Sequence, residues 1–429
     1  MSASSSRPTG SFTLPVGSLR LGLVFWLYAI NIVAYADRQV IALLKPELAR
    51  LFHWADKDYA LIITGFQISV AVCLLGAGWF IDKVGLRRGM ALSVGGWSIA
   101  ATLHAFARTL PQFLAARIAL GALEATATPG GVKIVATGFA PKDRGMVIGI
   151  INTAPNVSAF ATPLIVGALF ALTGWQWTIG LVGASGLVCV VFWWLLPIEK
   201  LAAVTPQPLE TPPAARGKAP SIFRDRHTWA LAIGKVMSDQ VWWFMLFWLP
   251  DFLHRRYQVD LAHLGLPVAS VYAMAAAGSF LGGWLPGLLR RFGVTAGTAR
   301  RIALGLFALL PLPLVATPYL HGLWPTVIVA GLALAGHQGF ATNLFSLAVT
   351  AFPADRVGSV VGFAAFCGNV SGALVLQVAG WLLTTRGSLD AMFIECGLAY
   401  VACWVVLKLL VPVLRSDEAA PSLSPDIPQ

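Results

Sequence analysis

Apolar residues gather in twelve long blocks along this chain, at roughly 20–43, 58–82, 89–108, 111–139, 145–173, 177–197, 228–253, 263–290, 301–318, 322–351, 357–384 and 390–413. Each block is near or above the ~20 residues a helix needs to cross a bilayer. The pattern predicts an all-α membrane protein with twelve transmembrane helices. The one long polar interval inside the chain is 198–227, with Pro206, Pro208, Pro212, Pro213 and Pro220 among several charges. That composition suits a linker. The predicted organisation is a tail over 1–19, a six-helix bundle over 20–197, the linker over 198–227, a second six-helix bundle over 228–413 and a tail over 414–429.

Only 11% of the 429 residues are charged and 57% are hydrophobic, with a mean hydropathy of +0.74. A soluble domain carries about 25% charged residues. The net charge of +11 does not point to nucleic acid, because the basic residues form no contiguous patch and stand at the ends of apolar blocks. Their distribution sets the orientation instead. Of the 30 Lys and Arg, nineteen fall on the side of the termini and the linker, seven on the opposite side and four inside predicted spans. This places both termini and the linker in the cytoplasm, in a bacterial inner membrane. The five cysteines lie mostly inside apolar blocks without metal-ligand spacing, so they read as small core residues. The first block is too long for a signal-peptide core, and no convincing cleavage site follows it.

The halves echo one another. Pro141–Lys142–Asp143–Arg144 returns 212 residues later as Pro353–Ala354–Asp355–Arg356. Gly149, Asn156–Val157–Ser158, Gly167 and Gly174 return 213 residues later as Gly362, Asn369–Val370–Ser371, Gly380 and Gly387. Each set joins the fourth span of its half to the fifth, which predicts two parallel repeats about an axis along the membrane normal. Asn156 and Asn369 lie too deep for glycosylation, and hydrogen bonding between helices is the better use of both.

Charges inside the blocks are the candidate chemistry. Arg117 and Glu124 share one helix face in the fourth block, nearly two turns apart. A charge at such a depth costs roughly 2.5–3.5 kcal/mol, so it faces a polar cavity or another charge. Asp37–Arg38 forms a second pair near the end of the first block. Asn31, Tyr35 and Arg38 share a face there at i, i+4 and i+7, offering donors and a ring to a sugar. A guanidinium suits a carboxylate ligand because its planar fork makes two charge-assisted bonds. A carboxyl group whose proton affinity responds to burial and to a nearby arginine suits a proton site, and Asp37 and Glu124 qualify. The alternative is an interfacial charge pair with no role for Asp37–Arg38 and a structural ion pair for Arg117–Glu124. Lys235 and Asp239, at i and i+4 in the seventh block, neutralise each other or leave Lys235 for substrate oxygens. Lys133 is a snorkelling or gating residue. Gln338 and Asn343 serve sugar contact or helix packing, and Trp242 a sugar stack or an interface anchor. His337 reads as a hydrogen-bonded helix residue, and Glu395 has no partner that the sequence names.

Gly78–Trp79–Phe80–Ile81–Asp82–Lys83–Val84–Gly85–Leu86–Arg87–Arg88 resembles the signature loop of the major facilitator superfamily. Its second-half echo, Gly283 to Arg291, lacks the acidic position. The resemblance implies the superfamily's fold and a gating charge network around Asp82, Arg87, Arg88 and Arg144. A closer resemblance covers nearly the whole chain. Tyr35–Ala36–Asp37–Arg38, Arg117–x–x–x–Gly121–x–x–Glu124 and Gly131–Val132–Lys133 are similar to the anion:cation symporter branch. Lys235, Asp239–Gln240–Val241–Trp242–Trp243, Phe247–Trp248–Leu249–Pro250, Gly336–His337–Gln338, Asn343 and Gly358–Ser359–Val360–Val361–Gly362 are similar to its hexuronate transporters. That branch implies proton coupling at Asp37 and Glu124 and carboxylate binding and coupling at Arg38 and Arg117. Thr126–Ala127–Thr128–Pro129 departs from it with small residues, a change that bears on pocket shape. The glycine-rich motif of drug/proton antiporters is absent, its place taken by Asn152–Thr153–Ala154–Pro155–Asn156.

The expected protein is a monomeric proton-coupled symporter. It imports a hexuronate such as galacturonate or glucuronate, or a related aldonate, by alternating access. Its partners are a small anionic substrate and the lipid bilayer, with no nucleic acid and no cofactor beyond the coupling proton. Substrate contacts are expected from Asn31, Tyr35, Arg38, Arg117, Lys235, Trp242, Gln338 and Asn343. The alternatives are an organic-anion exchanger or exporter of the same fold and, in another class, a membrane-embedded sensor. An enzyme is not expected, since neither GxSxG nor HExxH occurs.

Overall fold

A computed structural model describes residues 16–198, 222–352 and 354–411. Its helices are α1 (Val16–Phe52), α2 (Asp56–Val84), α3 (Leu86–Leu103), α4 (Leu110–Glu124), α5 (Ala127–Gly138), α6 (Pro141–Ile151), α7 (Ala154–Leu195), α8 (Arg226–Tyr257), α9 (Gly265–Arg291), α10 (Ala296–Leu309), α11 (Leu323–Ala351), α12 (Ala354–Arg386) and α13 (Asp390–Leu410). Short 3-10 turns occupy His104–Phe106, Ile222–Arg224 and Leu312–Tyr319. Most of the expected tails and of the linker (1–15, 199–221 and 412–429) lies outside the described residues.

The twelve apolar blocks map onto these helices, though not one to one. Among the described residues, eight stretches are long and apolar enough to cross a membrane, and one of them, Met146–Leu195, holds the fifth and sixth blocks together. Gly174 divides that stretch with φ 76° and ψ 176°, backbone that glycine enters without a Cβ clash. Blocks three, four and seven fall outside the eight for local reasons. α3 opens on Leu86–Arg87–Arg88, and α8 carries Lys235, Asp239 and Asp251 in its interior. Block four is cut into α4 and α5. Pro129 has no N–H for the Ala125 carbonyl and its ring crowds that carbonyl, so the helix breaks at Ala125–Thr126, directly after Glu124. Pro155 acts on Ile151 in the same way and separates α6 from α7.

Many large apolar side chains lie outermost, among them Leu75, Leu172 and Phe280, each more than 70% exposed. Helices that are apolar on their outer faces as well as inside belong in lipid. Inside, α1 packs on α7 and α2 on α4, while α8 packs on α12 and α9 on α11. A Cβ added at Gly278 would collide with the Ala335 backbone and one at Gly282 with Gly339, so small residues let α9 and α11 touch. The first set of helices meets the second along α2–α12, α7–α9 and α1–α8. The candidate site lies where these seams converge.

Candidate functional site

Four charged residues come together between α1 and α4, each partnered across the two helices and not within its own. Arg38 Nε donates to Glu124 Oε1 at 2.8 Å, with the Arg38 side chain 14% exposed and that of Glu124 fully buried. Arg117 Nη1 donates to the backbone carbonyl of Asp37 at 3.0 Å. The pairings that stood as the alternative, Arg117–Glu124 and Asp37–Arg38, do not form as ion pairs, and helix geometry explains why. Residues seven apart are separated by about 10 Å along the axis. Adjacent residues point in different directions around the helix. Partners therefore come from the other helix. Both carboxyl oxygens of Asp37, and Oε2 of Glu124, are buried without a hydrogen-bond partner. Burying a polar group in that condition is costly, and more so for an ionised carboxylate than for the neutral acid.

Aromatic rings enclose the Arg38 guanidinium. Tyr35, Phe66 and Trp243 lie 4.8, 5.4 and 5.6 Å from it, measured to ring centroids. Such faces hold a cation in place while one side stays accessible. Asn31 donates to the Leu27 carbonyl of its own helix at 2.7 Å. From α8, Lys235 pairs with Asp239 at 2.7 Å and rests on Phe345. Trp242 is stacked on His337, with centroids 5.1 Å apart, and meets Tyr272 edge-on. It is thus Trp243, one residue on, that turns a ring toward Arg38. His337 bonds through Nδ1 to the Tyr400 hydroxyl, which donates to the Ser238 carbonyl. Asn343 gives its amide donor to the carbonyls of Gly282 and Gly339, fastening α9 to α11. Glu395 accepts from Gln240 at 2.7 Å.

Two hydrogen bonds between side-chain amides cross between the halves beside this site. Gln338 donates to Asn156 at 2.8 Å and Gln67 donates to Asn369 at 2.7 Å. Farther along the same seam, Tyr59 donates to the Phe247 carbonyl. The seam ends in a charge cluster that sequence reasoning missed. Lys45 lies 2.6 Å from Asp56 and 2.5 Å from Asp251, and Arg255 lies 2.5 Å from Asp56 and 3.0 Å from Asp251. Lys45 and Asp251 are each only 1% exposed, which seals this end. The available signal was a pair of prolines: Lys45 precedes Pro46 in α1 and Asp251 follows Pro250 in α8. Read singly, Lys45 and Arg255 pass for loop cations.

The opposite end carries the glycine-rich loop. Asp82 pairs with Lys133 at 2.5 Å, so the loop's acid is held by α5. Arg87 donates to the Trp194 carbonyl, and Arg144 donates to those of Phe139 and Ala136. Arg88 is exposed.

Comparison with known proteins agrees with this architecture. The sequence profile described as Major Facilitator Superfamily matches residues 27–376. A probable L-galactonate transporter of Escherichia coli K12 is 25% identical over 391 residues, covering 87% of this chain and 85% of the relative. The hexuronate transporter of the same organism is 24% identical, with 85% and 89% covered. Its probable galactarate/D-glucarate transporter is 25% identical, with 93% and 96% covered. Among solved structures, a bacterial homologue of the human lysosomal transporter Spinster, inward-facing and occupied, superposes with TM-score 0.72 at 18% identity, over 95% of this chain and 98% of that one. A peptide transporter gives TM-score 0.74 at 15% identity, over 95% and 97%. At such identities these two structures speak to the fold alone. With its helices, its seams and a profile match over most of its length, this chain belongs to the Major Facilitator Superfamily.

Proposed function

We propose that this protein is a proton-coupled symporter that imports a hexose-derived sugar acid across the bacterial inner membrane. One observation carries the reading: an arginine clasped by a buried glutamate in a ring-walled site between the halves. A guanidinium held by a single carboxylate oxygen can exchange that partner for a substrate carboxylate once a proton neutralises the acid. The sugar-acid relatives supply the cargo class.

The cycle starts with the Lys45 end, taken as periplasmic, open. A proton reaches Glu124 and releases Arg38 to the substrate carboxylate. Asp37, whose carboxyl oxygens have no partner in the same cluster, is the candidate carrier of an additional proton. Arg117 holds α4 to the α1 backbone, so protonation of Asp37 is felt in both helices. Tyr35, Trp243 and Asn31 line the substrate. Trp242 backs the site through His337, and Gln338 and Asn343 keep α11 in register. The halves then close through Gln67–Asn369, Gln338–Asn156 and the Lys45 cluster. Opening at the cytoplasmic end, gated by Asp82, Lys133, Arg87, Arg88 and Arg144, delivers substrate and protons.

The test is uptake by proteoliposomes of labelled galacturonate and galactonate under an imposed gradient, acid outside. Accumulation that a protonophore collapses supports the reading. Uptake that runs equally without the gradient, but needs substrate on the far side, identifies an exchanger instead.

A further inference from the structure

A second cation–carboxylate pair faces the Arg38 site from the other half. The side chains of Lys235 and Asp239 are 11% and 12% exposed, close to the 14% of Arg38. The sealed pair Lys45–Asp251, at 1% each, shows what a closed ionic contact looks like in this protein. Trp243, one turn beyond Asp239, is the ring that meets Arg38. On α8, Asp239 stands one turn before Trp243, a rise of about 6 Å, and the Lys235 ammonium reaches Asp239 from one turn farther back. A short chain with an acid at each end is the ligand suited to two cations set apart along one seam. Phe345 covers the ammonium at 4.9 Å. Gly368 leaves room beside the acid, since a Cβ there would run into the Asp239 carboxylate. Lys235 therefore has what Arg38 has: an aromatic wall and one exchangeable carboxylate.

We propose that Lys235 and Asp239 form a second anion subsite, and that the preferred cargo is a sugar diacid with one carboxylate on Arg38 and the other on Lys235. This rests on the sugar-acid reading above and narrows it. A sugar hydroxyl does not replace a carboxylate on an ammonium, because a bond from the ammonium to a neutral oxygen is weaker than one to an ionised oxygen. A second carboxylate does. Each substrate carboxylate takes the place of a protein carboxylate, displacing Glu124 from Arg38 and Asp239 from Lys235. Each displaced acid binds one proton. The dianion then crosses with two protons and no net charge.

Galactarate and galactonate differ only at one chain end, carboxylate against hydroxymethyl, so they isolate the second subsite. The experiment is competition and uptake with both in proteoliposomes of the full-length protein. The expected result is a galactarate preference of about tenfold or more, the worth of one charge-assisted hydrogen bond. Lys235→Gln should bring the ratio of the two affinities toward one, and Lys235→Arg should keep it. A ratio near one in the unmodified protein overturns the proposal whether or not the variants fold, as does an unchanged ratio in Lys235→Gln. If galactonate is carried well and galactarate is not, the second subsite falls while the sugar-acid reading stands. If neither is bound or carried, both fall together.

Discussion

Arg38 is a residue at which a conservative change should be costly. Its bond to Glu124 uses Nε, leaving the rest of the guanidinium fork beside three rings. Lysine keeps the charge but offers neither the fork nor the stacking plane. Arg38→Lys should weaken sugar-acid binding about 10–100-fold, the loss expected for one charged hydrogen bond of 1.5–3 kcal/mol, read by competition at fixed pH. Glu124→Gln acts differently. An amide neither takes up the coupling proton nor releases one, so exchange of substrate across the membrane should persist while acid-driven accumulation disappears. Full accumulation by this variant would remove Glu124 from the coupling path. Both residues stood out in the sequence as ionisable groups inside apolar blocks. Their pairing did not, because Arg38 and Glu124 are 86 positions apart and each has a nearer, wrong candidate.

Helix ends and helix breaks carry the moving parts. The Lys45 cluster holds two cations and two carboxylates, one of each sign from each half. Each half thus holds a cation and a carboxylate in contact, Lys45 with Asp56 and Arg255 with Asp251, so in the proposed cycle parting of the halves leaves no charge alone. Asp251→Asn removes that balance. Losing one partner of a buried ion pair costs about 3–5 kcal/mol, and here the cost falls on the closed seam. Ala60 lies under Gly380 on that seam. A cysteine at Ala60 should therefore react faster with an impermeant maleimide from outside in the Asp251→Asn background, and an unchanged rate would show that the cluster does not hold the gate. Pro129 belongs to the same class of device. Pro129→Ala restores the missing bond to Ala125 and removes a proline penalty of about 3 kcal/mol from a continuous helix. Transport should slow while binding at Arg38 persists, a split between turnover and affinity. The twelve blocks announced the helices, but not the break after Glu124. A single proline in an apolar run reads as a tolerated kink, and only the backbone hydrogen bonds show that the helix is interrupted at Ala125–Thr126.

Across the molecule, the charge moved per cycle follows from proton number. One proton with a monoanion, or two with a dianion, moves no net charge, so only the pH gradient drives uptake, about 1.4 kcal/mol per pH unit for each proton. An additional proton adds the membrane potential, about 2.3 kcal/mol per 100 mV. Uptake into liposomes whose potential is clamped with valinomycin should be insensitive to potential for the diacid cycle proposed above. A steep dependence would bring Asp37 into the proton count. The distribution of Lys and Arg further predicts that a fluorescent-protein fusion at the C-terminus lights up in the cytoplasm, the side opposite the Lys45 cluster.

What the chain's own order determined was whatever is written within about one span's length: how many apolar blocks there are, where the polar interval falls, which buried positions carry charge. Bilayer thickness and the cost of burying a charge act on each segment separately, so those features need no knowledge of the fold. The tertiary structure decided who meets whom. Gln67 reaches Asn369 across 302 positions and Lys45 reaches Asp251 across 206. Hydrogen bonds and ion pairs are won or lost over an ångström or so, and no local pattern encodes a distance that exists only after two bundles have packed against each other.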